Sequence, residues 1–324
     1  MAGRLGGSHY RIPRANVVMK RQVAIIGTGW VGSSVAISTL HSGVADELLL
    51  YDVREAVAEG EAMDLGHGAS FYPPASVRVA AIEDMVDADV IVVAAGRGGR
   101  AGESRLELLR DNAIVIADIG KRLTRARGTV VIVSNPVDVL TQRLTEVSGL
   151  PLARVIGTGT MLDTARLKQV VSHVIHVDPH SIHAHVVGEH GDSEVVLWTA
   201  ARVGGVPLRT WVGWDPQRET ALADEVRRAA YEIIRRKGAT NHAIGLVTAD
   251  LLRCILRDER RVLTVSRVQE GALGLRDVAL SLPTVVGNRG AAEVLEPEMS
   301  AAERQRLEHS AEVLRQAAAG ARLG

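Results

Sequence analysis

Short apolar runs separated by longer amphipathic stretches set the rhythm of the first half of the chain. QVAIIG, ELLLYD, DADVIVVAAG and GTVVIVSNP each hold an unbroken block of Val, Ile, Leu or Ala. Continuous runs of this kind suit strands buried on both faces, as in a parallel sheet covered by helices above and below. Between them, WVGSSVAISTLHSG, REAVAEGEAMDLG and ESRLELLRDNAIVIADIGKRL carry helical spacing. The alternation predicts an α/β fold built on a doubly wound, Rossmann-type parallel sheet. After Pro151 the pattern changes. ALADEVRRAAYEIIRRK and SAAERQRLEHSAEVLRQAAAG predict strong amphipathic helices, the second opening on a Ser300/Glu303 capping box, while the strands read as shorter and more polar. The chain therefore divides into a first domain over 20–150 and a mixed α+β domain over 151–324, with a helix near 241–258 expected to pack back on the first.

Composition narrows the function classes. The 38 basic and 38 acidic side chains cancel, so nothing favours nucleic acid or an acidic membrane surface as a partner. No apolar run approaches the roughly 20 residues of a membrane span. The single cysteine, Cys254, excludes an intrachain disulfide framework and fits a reducing, cytoplasmic setting. Residues 1–19 are basic without an apolar core, which is the composition of a disordered tail and not of a signal peptide; Met19 offers an alternative start.

The chemistry begins at the first strand end. GTGWVG places Gly27, Gly29 and Gly32 in the G-x-G-x-x-G spacing, with Trp30 and Val31 between them. Such a match is weak alone, but this one closes a predicted strand and opens a predicted helix. The next strand ends at Asp52, 20 residues after Gly32, where a carboxylate can accept hydrogen bonds from ribose hydroxyls. An acid there repels a 2′-phosphate, so the expected cofactor is NAD and the first domain is its binding domain.

The second half supplies candidate catalytic groups. His190 stands in GEHGDS, Asp163 and Arg166 lie three apart on one face of a predicted helix, and Asn135 ends a strand in SNPVDVL. Hydride transfer to or from a 2-hydroxy acid needs a proton base, a carboxylate that holds it in one tautomer, a bidentate arginine for the substrate carboxylate, and a cation to polarise the carbonyl. His190, Asp163, Arg166 and Arg105 have those chemical types. An Asp/Arg helix pair is also what a solvated ion pair looks like. Six of the eleven histidines fall between His173 and His190, but no cysteine or acid of ligand spacing accompanies them, so no metal is expected.

Taken together, VAIIGTGWVGSSVA, EAMDLGHG, AGESRLELL, VSNPVDVLT, RVIGTGTMLDTARL, VVGEHGDSE, RRKGATNHAIGL and RVLTVS resemble the L-lactate/malate dehydrogenase family from about Gln22 to Gln316, most closely its bacterial lactate branch. The resemblance implies that His190 exchanges the proton, Asp163 orients it, Arg166 holds the substrate carboxylate, and Arg105 arrives with a mobile lid to polarise the C2 oxygen. It also implies that Asn135 bonds that oxygen and supports the cofactor, that Thr240 lines the pocket, and that Gly96 and Asn112 join the cofactor-binding set. A homotetramer is implied. So is a fructose 1,6-bisphosphate effector site between subunits at Lys168 and His183, with Lys168 supplying a point charge where an arginine fork is more usual.

One position departs from the pattern. Six residues before Arg105, where lactate enzymes carry glutamine and malate enzymes arginine, this chain has Gly99. Three readings stay open: a roomier lactate pocket, space for a larger 2-oxo acid, or Arg100 turning inward to meet a second anion, as in a malate-like substrate. His242 adds a polar change near the pocket. A non-catalytic NAD-binding protein is the alternative from another class, and the matched set of His190, Asp163, Arg166, Arg105 and Asn135 argues against it.

Overall fold

The computed structural model describes residues 20–98 and 105–322. The segment 1–19, Gly99 and Arg100 lie outside the described residues, as does the side chain of Arg105. The first half runs β1 (Gln22–Ile26), α1 (Trp30–Ser42), β2 (Glu47–Tyr51), α2 (Glu55–His67), β3 (Ser76–Val79), β4 (Val90–Val93), α3 (Arg105–Arg122), β5 (Thr129–Ile132), α4 (Val137–Ser148) and β6 (Val155–Gly157). There follow α5 (Met161–Ile175), β7 (Ile182–His183), β8 (Val186–Val187), β9 (Val195–Val196), β10 (Arg202–Val203) and β11 (Val206–Pro207). The chain ends with α6 (Glu219–Lys237), α7 (His242–Leu256), β12 (Arg261–Glu270), β13 (Arg276–Gly287), β14 (Gly290–Val294) and α8 (Ala301–Arg322).

Six parallel strands lie in the order β3-β2-β1-β4-β5-β6, and the sheet continues as β12-β13-β14. Alternation along each strand assigns its residues to opposite layers. Val23 and Ile25 of β1, with Val90 and Val92 of β4, pack with Val35 and Leu40 of α1 and Leu251 and Leu252 of α7. Ala24 and Ile26, with Ile91 and Val93, face Ile116 of α3 and Leu140 of α4 on the other side. Each such fully buried aliphatic side chain contributes about 1.5–3 kcal/mol relative to exposure. That explains why the strand signal was so clear: with both faces covered, no polar position interrupts it. α7 reaches α1 closely because Gly245 has no side chain; a Cβ there would stand 2.6 Å from the Ser34 carbonyl oxygen.

The expectation of short, polar strands after Pro151 needs correction. It fits the small sheets β7-β10-β11 and β8-β9. It fails for β12 and β13, which at 10 and 12 residues are the longest strands described. They carry Thr264, Ser266, Ser281 and Thr284, which are nonetheless buried. The hairpin extends the first sheet, with Ser266 of β12 opposite Gly157 of β6, so its hydroxyls lie inside and mask the apolar pattern. The capping box is present at α8: Ser300 N–H donates to Glu303 Oε2 at 2.7 Å, and Glu303 N–H donates to Ser300 Oγ at 3.3 Å.

Candidate active site

Strand order reverses between β1 and β4, the switch point outside whose carboxyl strand ends open α/β sheets bind their ligands. The glycine turn after β1 borders it, and its three glycines serve three different needs. Gly27 has φ +96°, and a Cβ on it would stand 2.6 Å from Ala95 N. A Cβ on Gly32 would stand 1.8 Å from the Gly27 carbonyl oxygen, so this residue sets how closely helix meets strand. Gly29, at the N-cap of α1, has nothing within 4 Å of its Cβ position. That open space faces the unpaired N–H groups of the first helical turn, which is where a pyrophosphate is received. At the end of β2, Asp52 Oδ2 accepts from Thr28 N–H at 3.0 Å and Oδ1 from Arg54 N–H at 3.0 Å, so the carboxylate is held in place. These residues fit an adenine dinucleotide.

The other residues expected around the cofactor occupy several settings. Asn112 is buried, and its amide is occupied: Oδ1 accepts from Arg97 N–H at 2.9 Å, and Nδ2 donates to the Asn135 carbonyl at 3.0 Å. It brackets the strand ends with Gly96, whose Cβ position is 3.2 Å from Asn112 Oδ1. Trp30 is 66% exposed and borders a separate cavity of about 880 Å³ with Lys237, Asn241 and His242. Val31 is half-buried beside the core between α1 and α7.

A cavity of about 500 Å³ lies between the first turns of α3, α4 and α5, the loop after β8, and α6. It gathers Asn135, Asp163, Arg166 and His190, which are separated by up to 55 residues of sequence (190 less 135). His190 Nδ1 bonds Asp163 Oδ2 at 2.5 Å, and the other Asp163 oxygen accepts from Arg166 Nη1 at 2.7 Å. With Nδ1 engaged, His190 keeps Nε2 for exchange with a ligand. The loop is tied on both sides of the ring. His190 N–H donates to Asp138 Oδ2 at 2.7 Å, and Glu189 N–H donates to Ser310 Oγ at 2.8 Å.

Burial resists charge throughout this site, and the outcome differs from group to group. For His190 it is outweighed by the Asp163 carboxylate, which carries the imidazole up to about 9. For Asp163 it is outweighed by His190 and Arg166, which hold the carboxyl below its ordinary range. Asp138 goes the other way: burial raises it to about 6, and its Oδ1 has no hydrogen-bond partner. Glu194 is raised to about 8, again chiefly by burial with the Asp163 charge adding to it. The motifs NPVD and GEHGDSE contain both acids, but no role was expected for either. Only their burial beside the His–Asp pair makes them conspicuous.

Thr240 lies half-buried in the turn after α6 and is not among the residues lining this cavity. Leu106 and Leu109 of α3 are, so Arg105 begins a helix that borders it. Lys168 lines a smaller cavity of about 300 Å³ with His185 and Arg261, whereas His183 is exposed on β7 outside that lining. Burial and the Arg261 charge lower the Lys168 ammonium below its ordinary value.

A topological switch point, an anion-ready helix start and a buried His–Asp pair joined to an arginine define a nicotinamide-dependent oxidoreductase by its parts. Residues 21–157 match the model of the lactate/malate dehydrogenase NAD-binding domain, and residues 160–321 match that of the family's alpha/beta C-terminal domain. The chain belongs to the lactate/malate dehydrogenase family, and NAD is its cofactor. Among relatives, it is 43% identical to an L-lactate dehydrogenase of Synechococcus sp. (strain JA-3-3Ab) over 296 residues, 90% of this chain and 97% of the relative. It is 44% identical to an L-lactate dehydrogenase of Thermus aquaticus over 304 residues, 92% and 98% of the two chains. The ligand-bound crystal structure of a minor L-lactate dehydrogenase from Enterococcus mundtii superposes with a TM-score of 0.91 at 38% identity, covering 94% of this chain and 99% of that one.

Proposed function

We propose that the protein interconverts L-lactate and pyruvate with NAD, and that the hydrogen-bonded set His190–Asp163–Arg166 in one cavity is the observation that carries this reading. Bound NAD supplies the hydride acceptor, and NADH the donor, for C2 of the acid. Arg166 receives the substrate carboxylate with the N–H groups that Asp163 leaves free. His190 Nε2 takes the hydroxyl proton as lactate is oxidised and returns it to the C2 oxygen as pyruvate is reduced. Asp163 keeps the imidazole in one tautomer and stabilises the imidazolium. Arg105, at the start of α3, polarises the C2 oxygen, with Asn135 as a second donor to it. Because His190 is held up near 9, the protonated form needed for pyruvate reduction prevails at neutral pH.

The relatives that cover nearly the whole chain are L-lactate dehydrogenases, which supports pyruvate over the larger or doubly anionic substrates that Gly99 and Arg100 leave conceivable. The test is NADH consumption by purified protein across pyruvate, oxaloacetate, 2-oxobutyrate, phenylpyruvate and phosphonopyruvate, with and without fructose 1,6-bisphosphate. Pyruvate should show the highest kcat/KM. Preference for oxaloacetate or phosphonopyruvate, lost in Arg100→Ala, would instead assign Arg100 as the substrate reader.

The working form is proposed to be a cytoplasmic homotetramer. Trp30, Met63, Phe71 and Leu246, each more than 60% exposed, supply apolar surface for a second copy. Sedimentation should give four chains per particle. Among the described residues no helix is long and apolar enough to cross a membrane. Lys168 and His183 are the proposed effector contacts, so fructose 1,6-bisphosphate should lower KM for pyruvate in the native chain and not in His183→Ala.

A further inference from the structure

Glu194 lines the same cavity as His190 and Arg166, yet the mechanism above gives it nothing to do. It is 5% exposed, and its Oε1 is buried without a hydrogen-bond partner. The nearest candidate counter-charge on α6, Arg227, is turned elsewhere: its Nη1 bonds Asp224 Oδ1 at 2.5 Å, and its buried Nε has no partner either. A carboxylate in that position would be desolvated, and burial with the Asp163 charge outweighs the pull of His190, Arg227 and Arg166, which is a costly arrangement for a charge.

The other ionisable groups around it come from every neighbouring element. α5 contributes Asp163 and Arg166, the loop after β8 contributes Glu189, His190 and Asp192, α4 contributes Asp138, and α6 contributes Asp224, Arg227 and Tyr231. The bound acid brings its own carboxylate into a chamber where the Asp163 charge already disfavours ionisation of Glu194. A charged Glu194 would add a further buried negative charge to the chamber that must accept the substrate's own.

We infer that Glu194 is a charge gate for substrate entry: it admits the anionic acid while it carries its own proton and excludes it once that proton is lost. This rests on the dehydrogenase reading above and adds a second titrating group to it. Burial places the loss near pH 8, in the range where the enzyme can be assayed.

The two titrations separate in the lactate direction. Deprotonation of His190 favours binding of the alcohol, whose proton the neutral imidazole takes, so it cannot raise KM for lactate. Deprotonation of Glu194 does raise it. Initial rates of lactate oxidation at saturating NAD, from pH 6.5 to 9.5, should therefore be compared between the native chain and Glu194→Gln, in which only the fall in KM from His190 deprotonation remains. The ratio of KM at pH 9.5 to KM at pH 7 should be about tenfold higher in the native chain than in Glu194→Gln. A reading without the variant is the infrared carbonyl band of a protonated carboxylic acid, present in the enzyme at pH 7 and lost as the pH passes 8. A KM profile in Glu194→Gln that matches the native one, or no acid band at pH 7, would overturn the gate while leaving lactate turnover intact. Absence of turnover with every 2-hydroxy acid would remove the dehydrogenase reading and the gate together.

Discussion

The nucleotide-binding turn and the substrate cavity adjoin each other at the strand ends, but they are built from different materials. The turn works by removing side chains: Gly27, Gly29 and Gly32 bring bare backbone to a helix start, and Asp52 is the one charged group required beside them. The cavity collects side chains, with His190, Asp163, Arg166, Asp138 and Glu194 crowded where burial opposes every charge. The turn is encoded by six consecutive residues, whereas the cavity takes residues from α3, α4, α5, α6, α8 and a loop. A change in the turn should therefore act through sterics and cofactor affinity, and a change in the cavity through protonation.

The largest expected effect is at the proton-transfer group. His190→Gln keeps similar bulk and a hydrogen bond but cannot exchange a proton, so kcat should fall by about 10³-fold while NADH still binds, as measured by quenching of protein fluorescence. If kcat survives, the cavity is not the reaction centre and the comparison fails.

Next comes the helix–strand contact in the turn. Gly32→Ala forces a Cβ to within 1.8 Å of the Gly27 carbonyl oxygen, and unfolding by urea should show a loss of about 3 kcal/mol. In the cavity, Arg166→Lys keeps the charge but loses the planar fork, and KM for pyruvate should rise about 100-fold. Gly29→Ala sharpens the contrast within the turn. Its Cβ meets nothing in the protein, so urea stability should change by less than about 0.5 kcal/mol, while the new methyl intrudes on the cofactor's approach and weakens NADH binding about tenfold. Two glycines of one motif would then fail by separate routes.

The smallest expected effect is on stability against pH. His190 has its folded value raised to about 9 from 6.5, so its contribution is full below about pH 6.5 and is lost as the pH rises through 9. Glu194, raised to about 8 from 4.5, keeps in the folded state a proton that the unfolded chain gives up, so its contribution is full below about pH 4.5 and is lost as the pH rises from there through about 8. Melting temperature should fall between pH 6 and 9, and by about 2 °C less in Glu194→Gln, as followed by calorimetry. An equal fall in both would mean that Glu194 is charged in the folded state.

Legibility in the sequence followed the same division. The parallel strands were plain because both faces are apolar, and the glycine turn was plain because its constraint is local. The hairpin β12–β13 was misread because buried Thr264, Ser266, Ser281 and Thr284 resemble surface positions until the sheet that covers them is known. In the site, His190, Asp163 and Arg166 had recognisable types and spacing. Asp138 and Glu194 stand in NPVD and GEHGDSE with nothing to mark them, since an acid in a sequence carries no sign of its desolvation.

By itself, then, the sequence determined the fold class, the family and the chemical types of the groups proposed to react, because these depend on periodicity and on residues near one another along the chain. Only the tertiary structure decided which acids lie in the cavity, that Nδ1 of His190 is engaged by Asp163, and that Glu194 Oε1 has no hydrogen-bond partner. Those features depend on burial and distance between separate elements, and these set the protonation of each group.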